Sequence, residues 1–491
     1  MASRPPSNPS RSKQPLDTRQ LNEALRQVQH RVQGAAVCQA EHGLLAQLLL
    51  RLGRASEAEA VVSDALTLGT GSADAYDGLA FISMLLGEHE RANQLYRRAA
   101  ALGPRDPRFW YNLACSERSL GRLIEAEAAC DRAIAVDPTQ YPSYLLRSEL
   151  RVQTSDTNHI AELQTLLSER PDDYRGRIFL GYALGKELDD VGHYDEAFEH
   201  FARAAHARRA RLDYDVAVDE RKLQRIAEVY DATRMQEAHQ RSQAATGAAG
   251  EPRLVFIVGL PRSGTTLLER ILTGLSGVRS NGETDHFSQA LLKASRGDGD
   301  VFARAAQADA AAVAAEYTRL ARGGPEAQAV IEKLPLNYLY AGAIRQALPQ
   351  ARILLVRRDP LDSCFAMYRT LFAGGYPFSY DLLDLARYYA AYERLIEHWR
   401  SSMGAGLHEI HYRELVQDPK RVGAAVAAYC GLTWSDHAVD IQNNQSVSLT
   451  ASASQVRRPI YGSSSGRWRL YERHLGPLIS TLRERCVPLT G

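Results

Sequence analysis

Two hydrophobic rhythms divide the chain. Between about residue 34 and residue 210, Gly53, Gly87 and Gly121 recur 34 residues apart. Alanines keep step with them: Ala58, Ala92 and Ala126, then Ala65, Ala99 and Ala133. A glycine that ends one helix and small residues that let the next pack closely predict stacked helical pairs. From about Arg253 the rhythm changes. The apolar run Leu254–Val258 reads as a buried strand, and the segment after it carries Leu267, Leu268, Ile271 and Leu272 on one side of a helix. AQAVIEKLP, ARILLVRRDP, a long helix around Tyr380–Arg400 and LHEIHYREL continue the alternation. Alternating strands and helices predict a parallel sheet covered on both faces, with ligands bound beyond the carboxyl ends of its strands.

The 34-residue units resemble tetratricopeptide repeats, and Asp106–Pro107 and Asp137–Pro138 punctuate the start of the following unit. A copy near residue 155 is degenerate, and the motif returns around Gly192. Gly121 and Gly192 are 71 residues apart, so two units must absorb an insertion of about three residues. About five helical pairs are expected, presenting a concave face suited to an extended peptide or protein partner. The expected layout is a disordered segment 1–16, repeats over 17–211, a helical linker over 212–252 and an α/β domain over 253–491. AATGAAGEP marks the last border. The cluster Arg208, Arg209 and Arg211 reads as a solvated helix face.

Bulk properties narrow the partners. With 491 residues, 45% hydrophobic and 24% charged, the chain has ordinary globular composition. A net charge of +1 provides no overall field for nucleic acid. The scattered cysteines Cys38, Cys115, Cys130, Cys364, Cys430 and Cys486 contain no C-x-x-C and read as reduced thiols. His408 and His411 stand three apart in a strand, on opposite faces, so no metal site is expected. The longest apolar stretch, Leu44–Leu50, is far short of the roughly 20 residues of a membrane span, so a cytoplasmic protein is expected. Monomer or dimer is left open.

Chemistry concentrates at the strand ends. PRSGTT follows the first strand, and its two glycines, Gly259 and Gly264, enclose four residues in the outline of a phosphate loop. Thr265 occupies the slot where that loop has lysine, and Arg262 supplies a cation from inside the loop. The helix that begins there directs backbone N–H groups and its positive dipole end at an anion. Lys333 ends a second strand, Arg358 a third and Tyr412 a fourth. Three cations beside a helix N-terminus suit a ligand bearing several phosphate-like groups.

From Pro252 onward these motifs resemble the sulfotransferases that use 3′-phosphoadenylyl sulfate. With the repeats, the chain resembles bacterial proteins joining both parts. The resemblance implies an all-α tetratricopeptide-repeat solenoid followed by an α/β P-loop-like sulfotransferase domain with a central parallel sheet. It implies that Arg262, Ser263, Gly264, Thr265 and Thr266 form the 5′-phosphosulfate loop. VRRDPLDS is similar to the 3′-phosphate signature, with Arg358 as its grip; the serine the family places eight residues on is Ala366 here, and Ser363 is the substitute on offer. SNGET at Ser280–Thr284 is most similar to protein-tyrosine sulfotransferases, which implies Glu283 as general base, with Asp285 as its rival. Arg262 and Lys333 would stabilise the transferred group, and Tyr412, Ser452 and Arg467 would contact the donor, whose product is 3′-phosphoadenosine 5′-phosphate. No metal is implied. The expected acceptor is a peptide or protein tyrosine, with a carbohydrate, lipid or small phenol as the alternative. Two readings of other classes remain: a phosphate-loop kinase or ATPase, which needs lysine where Thr265 stands, and a repeat scaffold with an inactive domain.

Overall fold

The computed structural model describes residues 18–32, 39–69, 71–244, 252–321, 327–372, 374–444, 459–460, 462 and 464–489. The segment expected to be disordered, 1–16, most of AATGAAGEP, Cys38 and Ser452 lie outside them. The chain divides into two compact units, Met1–Glu117 with Ala128–Asp137, and Arg118–Glu127 with Pro138–Gly491.

In the first unit, helix Thr18–Val32 precedes the pairs Gln39–Arg51 with Ala55–Thr67 and Ala73–Leu85 with His89–Leu102. The pair Pro107–Leu120 with Leu123–Val136 comes next, its residues Arg118–Glu127 being assigned to the second unit. Gly53, Gly87 and Gly121 adopt φ of 70°, 82° and 83°, the left-handed conformation that ends a helix without a Cβ clash. Ala58, Ala65, Ala92, Ala99, Ala126 and Ala133 are all buried.

From Pro138 the second unit holds two further pairs, Tyr141–Leu150 with Ile160–Glu169 and Tyr174–Asp190 with Tyr194–Arg209, which makes five among the described residues. Helix Tyr174–Asp190 has 17 residues where Pro107–Leu120 has 14, so it takes up the added length. Two glycines let it approach its partner helix closely. A Cβ on Gly181 would stand 2.9 Å from the Cβ of Ala204, and one on Gly185 would stand 2.8 Å from the Phe201 ring. Arg208, Arg209 and Arg211 are occupied: Arg208 lies over Tyr380, Arg211 over Tyr174, and Arg209 pairs with Asp384 at 2.8 Å. Helices Val216–Val229 and Ala232–Ala244 follow.

The sheet is parallel, with strands β1 (Arg253–Gly259), β2 (Val278–Ser280), β3 (Ala329–Lys333), β4 (Arg352–Arg357) and β5 (Leu407–His411) in the order β2-β3-β1-β4-β5. Side chains alternate across it. Val255 and Ile257 face Leu268, Ile271 and Leu272 of helix Thr265–Thr273, with Val426 and Ala427 beyond. On the same strand, Phe256 packs edge-on against Phe287 at 5.8 Å and against Tyr317 at 5.5 Å. Helices over both faces explain why the strands read as continuous apolar runs. The chain leaves central β1 for the β2 edge, returns to β3 and then crosses to β4, so the switch in direction lies at the carboxyl end of β1. The long helix runs Leu382–Met403, capped by Asp381. His408 stacks on Tyr429 at 4.6 Å, and His411 is exposed. Among the described residues, no helix is long and apolar enough to cross a membrane.

In an exposed helix, Gly→Ala stabilises by about 1 kcal/mol. Gly185→Ala will reverse that sign, because its Cβ also meets the Ala197 carbonyl at 3.1 Å. A loss of about 1–3 kcal/mol is expected in urea unfolding; unchanged or raised stability would contradict this packing.

Candidate functional site

The loop between β1 and helix Thr265–Thr273 holds two close approaches. Gly259 (φ 151°) leaves no room for a side chain, since a Cβ would sit 2.6 Å from the Val356 carbonyl oxygen on β4. Gly264 (φ 107°) would place one 2.3 Å from the Tyr412 ring. Tyr412, immediately after β5, therefore presses against the loop from two strands away. Gly264 gives helix Thr265–Thr273 no capping side chain. The buried Ser263 hydroxyl has no hydrogen-bond partner, while its N–H closes a turn on Leu260 at 3.2 Å. Arg262 is held at φ 66°, a conformation costing a non-glycine residue about 1–2 kcal/mol. Its carbonyl accepts from Nη1 of Arg358 at 3.0 Å, which fixes the loop in that state.

Lys333 is 0% exposed at the end of β3. Its Nζ meets Oε1 of Glu283 at 2.6 Å and Oε2 of Glu269 at 3.6 Å. Burying an ammonium is costly unless carboxylates accompany it, so this grouping must form together. The segment carrying Glu283 is pinned at both ends: Asn281 N donates to the Ile331 carbonyl at 2.8 Å, and Lys333 N to that of Gly282 at 3.0 Å. Ser280 Oγ donates to Glu269 at 2.5 Å. Glu283 is the carboxylate placed on Lys333, whereas Asp285 accepts from Gln289 at 2.7 Å and precedes helix His286–Ala294. The unpartnered Asn281 Nδ2 and Thr284 Oγ1 lie on the same segment. Tyr376, left-handed at φ 58°, packs on Phe372 at 4.7 Å; burial and then the Glu283 carboxylate push its phenol above the ordinary value.

Arg358 follows β4. Its guanidinium lies 5.0 Å over the Tyr412 ring, its Nη2 donates to the Ser464 carbonyl, and its buried Nε has no partner. Burial pulls its pKa below the ordinary value against the attraction of Asp362. Tyr412 and Ser464 share a hydroxyl hydrogen bond of 2.7 Å. Buried Ser363 directs Oγ to the Arg358 carbonyl at a long 3.4 Å, and Ala366 lies one turn on in helix Pro360–Tyr368. Arg467 pairs with Asp189 at 2.7 Å. Glu149, on helix Tyr141–Leu150, lies within electrostatic reach of the loop; burial raises its carboxyl pKa, and Arg118 and then Arg262 draw it back.

The strand-end residues Arg262, Lys333, Arg358 and Tyr412 all stand at the carboxyl edge of the sheet, and Glu283 is brought to Lys333. Sequence reasoning missed Glu269, Ser464 and Asp362. Glu269 lay in an ordinary helical stretch, and a side chain turned toward a strand 64 residues away leaves no local signal. Ser464 stands in a Ser/Gly stretch whose composition gives no hint that Arg358 grips it.

Next to Lys333, Glu332 is fully buried, accepts from Asn337 at 3.0 Å, and has the Tyr317 hydroxyl as a second neighbour. Burial pushes its pKa up to about 7 from 4.5. A raised folded-state pKa favours the protonated form. The associated stability is therefore intact below about pH 4.5 and is lost as pH rises through about 7, by on the order of 3 kcal/mol. Relative to Glu332→Gln, the wild type should lose melting temperature between pH 5 and pH 8; parallel curves would exclude a titrating Glu332.

Known proteins are similar to both parts of the chain. Residues 252–436 match the family model described as "Sulfotransferase family", and residues 107–140 match "Tetratricopeptide repeat". An uncharacterized protein of Aquifex aeolicus (strain VF5) is 28% identical over 380 residues, which are 74% of this chain and 49% of that protein. Protein-tyrosine sulfotransferase 2 of Gallus gallus is 26% identical over 235 residues, 44% of this chain and 63% of that protein. The chain thus spans about half of one relative and under two thirds of the other. The sulfotransferase domain of the Synechococcus PCC 7002 olefin synthase aligns at 19% identity over 50% of this chain and 99% of that domain, with a TM-score of 0.34. The α/β portion of this chain is thus similar to the sulfotransferase family over residues 252–436, and it follows a segment similar to tetratricopeptide repeats.

Proposed function

We propose that the protein transfers a sulfuryl group from 3′-phosphoadenylyl sulfate to a hydroxyl acceptor, a tyrosine of a peptide or protein. The observation that carries this reading is the buried Lys333 ammonium 2.6 Å from Glu283, beside an uncapped helix N-terminus. The residues fit the donor. The unpartnered Ser263 hydroxyl and the N-terminus at Gly264–Thr266 suit its 5′-phosphosulfate, and the unpartnered Nε of Arg358 suits its 3′-phosphate. When bound, the donor supplies an activated SO₃ group on a phosphate leaving group.

The protein's part is protonic and electrostatic. Glu283 takes the proton of the acceptor hydroxyl as its oxygen bonds to sulfur. Lys333 and Arg262 meet the charge that gathers on the bridging oxygen as the bond from sulfur to that oxygen breaks. Lys333 also positions the Glu283 side chain, 2.6 Å from its Nζ. A phosphate-loop kinase fits less well, because Thr265 stands in the lysine slot and is buried.

The tyrosine assignment is supported by SNGET and by the similarity to the Gallus gallus enzyme. The nearness of Glu149, on a repeat helix, to Arg262 supports the repeats as the surface that presents the acceptor.

Labelled sulfate supplied as donor to the protein with peptide, glycan and phenol pools tests the reading. Tyrosine peptides should be labelled; labelling confined to glycans or phenols would move the acceptor class, and none at all would reject the activity. Glu283→Gln should lower turnover about 10²–10⁴-fold, and Lys333→Ala at least about 10²-fold. Unchanged rates would remove those roles. Arg262→Gly should lose transfer on a similar scale while keeping or gaining stability in urea, because glycine relieves the left-handed strain. Lost stability would contradict that account of the loop.

A further inference from the structure

Helix Tyr174–Asp190 belongs to the last repeat, and its penultimate residue is a nearly fully buried carboxylate, Asp189, 3% exposed. The position is unfavourable twice over, because burial and the negative end of the helix dipole both disfavour a charge there. It is nevertheless held ionised. Burial raises its pKa, but Arg369, Arg467 and Tyr471 outweigh that and leave it below the ordinary carboxylate value. Nη1 of Arg369 donates to Oδ2, Nη2 of Arg467 meets Oδ2 at 2.7 Å, and the Tyr471 hydroxyl donates to Oδ1.

These donors bracket Arg358 on both sides. Arg369 is the C-cap of helix Pro360–Tyr368, which starts two residues after Arg358. Arg467 lies three residues after Ser464, whose carbonyl accepts from Arg358. Between them, Asp362 accepts from Gly466 N at 2.6 Å and Trp468 N at 3.3 Å, closing the C-terminal segment over the helix. One carboxylate thus ties down the helix behind Arg358 and the segment in front of it. The Nε atoms of Arg358 and Arg467 remain buried and unpartnered.

We propose that Asp189, a residue of the repeats, is a positioning residue for the 3′-phosphate end of the donor site, acting by fixing Arg467 and Arg369 around Arg358. The inference rests on the donor assignment above. It makes the last repeat a structural part of the nucleotide site, in addition to any role in holding an acceptor.

Calorimetry on the full-length chain separates the possibilities, using 3′-phosphoadenosine 5′-phosphate and, as the ligand lacking the 3′-phosphate, adenosine 5′-monophosphate. If the wild type binds both with equal affinity, the donor assignment itself fails. If it prefers the 3′-phosphorylated ligand, Asp189→Asn should weaken that ligand on the order of tenfold and leave the monophosphate unchanged, and Asp189→Glu should recover part of the loss. Tyr471→Phe removes one donor to Asp189 without touching an arginine, and it should show the same selectivity at a smaller, severalfold level. It serves equally if Asp189→Asn does not fold. Weakening of both ligands alike, or of neither, would overturn the proposal.

Discussion

The charge on Lys333 is the constraint from which the site follows. An ammonium with no exposed surface must bring its counter-charges with it. Here they come from the helix after β1 (Glu269) and the segment after β2 (Glu283), while the lysine itself ends β3. Three strand ends are therefore drawn into one cluster by a single buried cation. The short edge strand β2 gains its significance this way: three residues of ladder suffice because the segment beyond them is pinned to β3 by Asn281 and Lys333.

On the other side of β1, the same principle works through arginine. Arg358 stacks on Tyr412, donates to the Arg262 carbonyl and grips Ser464, so the β4 and β5 ends share one guanidinium. The planar fork of arginine serves several acceptors at once, which a lysine at this position would not. Strain at Arg262 accompanies the placing of a cation inside the turn after β1.

Much of this was legible in the sequence, for reasons that can be named. Gly53, Gly87 and Gly121 announced the helical pairs because only a left-handed residue ends those helices cheaply. Leu254–Val258 and ARILLVRR announced central strands because both faces of the sheet are covered. β2 was not legible as a strand: at three residues it carries no periodicity, and it is defined by partners more than forty residues away. Glu283 and Lys333 were identified separately, from a motif and a strand end. Their pairing depends on the β2–β3 register, which no local pattern encodes. Asp189 was invisible for a related reason. It sits in a helix whose repeat rhythm accounted for it fully, and its donors lie near the far end of the chain. Ser452 lies outside the described residues.

That separation bears on the order in which the protein can assemble. Asp189 and Arg467 are 278 residues apart, and Arg358 and Ser464 are 106 apart. As the chain emerges from its N-terminus, the repeats can form from local contacts, and the sheet can form once β5 is made. Until Arg467 and Tyr471 arrive, the Asp189 carboxylate has at most Arg369 to meet, at a helix end that disfavours it. The last helical pair should therefore stay loose until the final segment, through helix Gly476–Glu484, has closed. The surroundings of Arg358 are therefore completed only after residues 464–471 have been made.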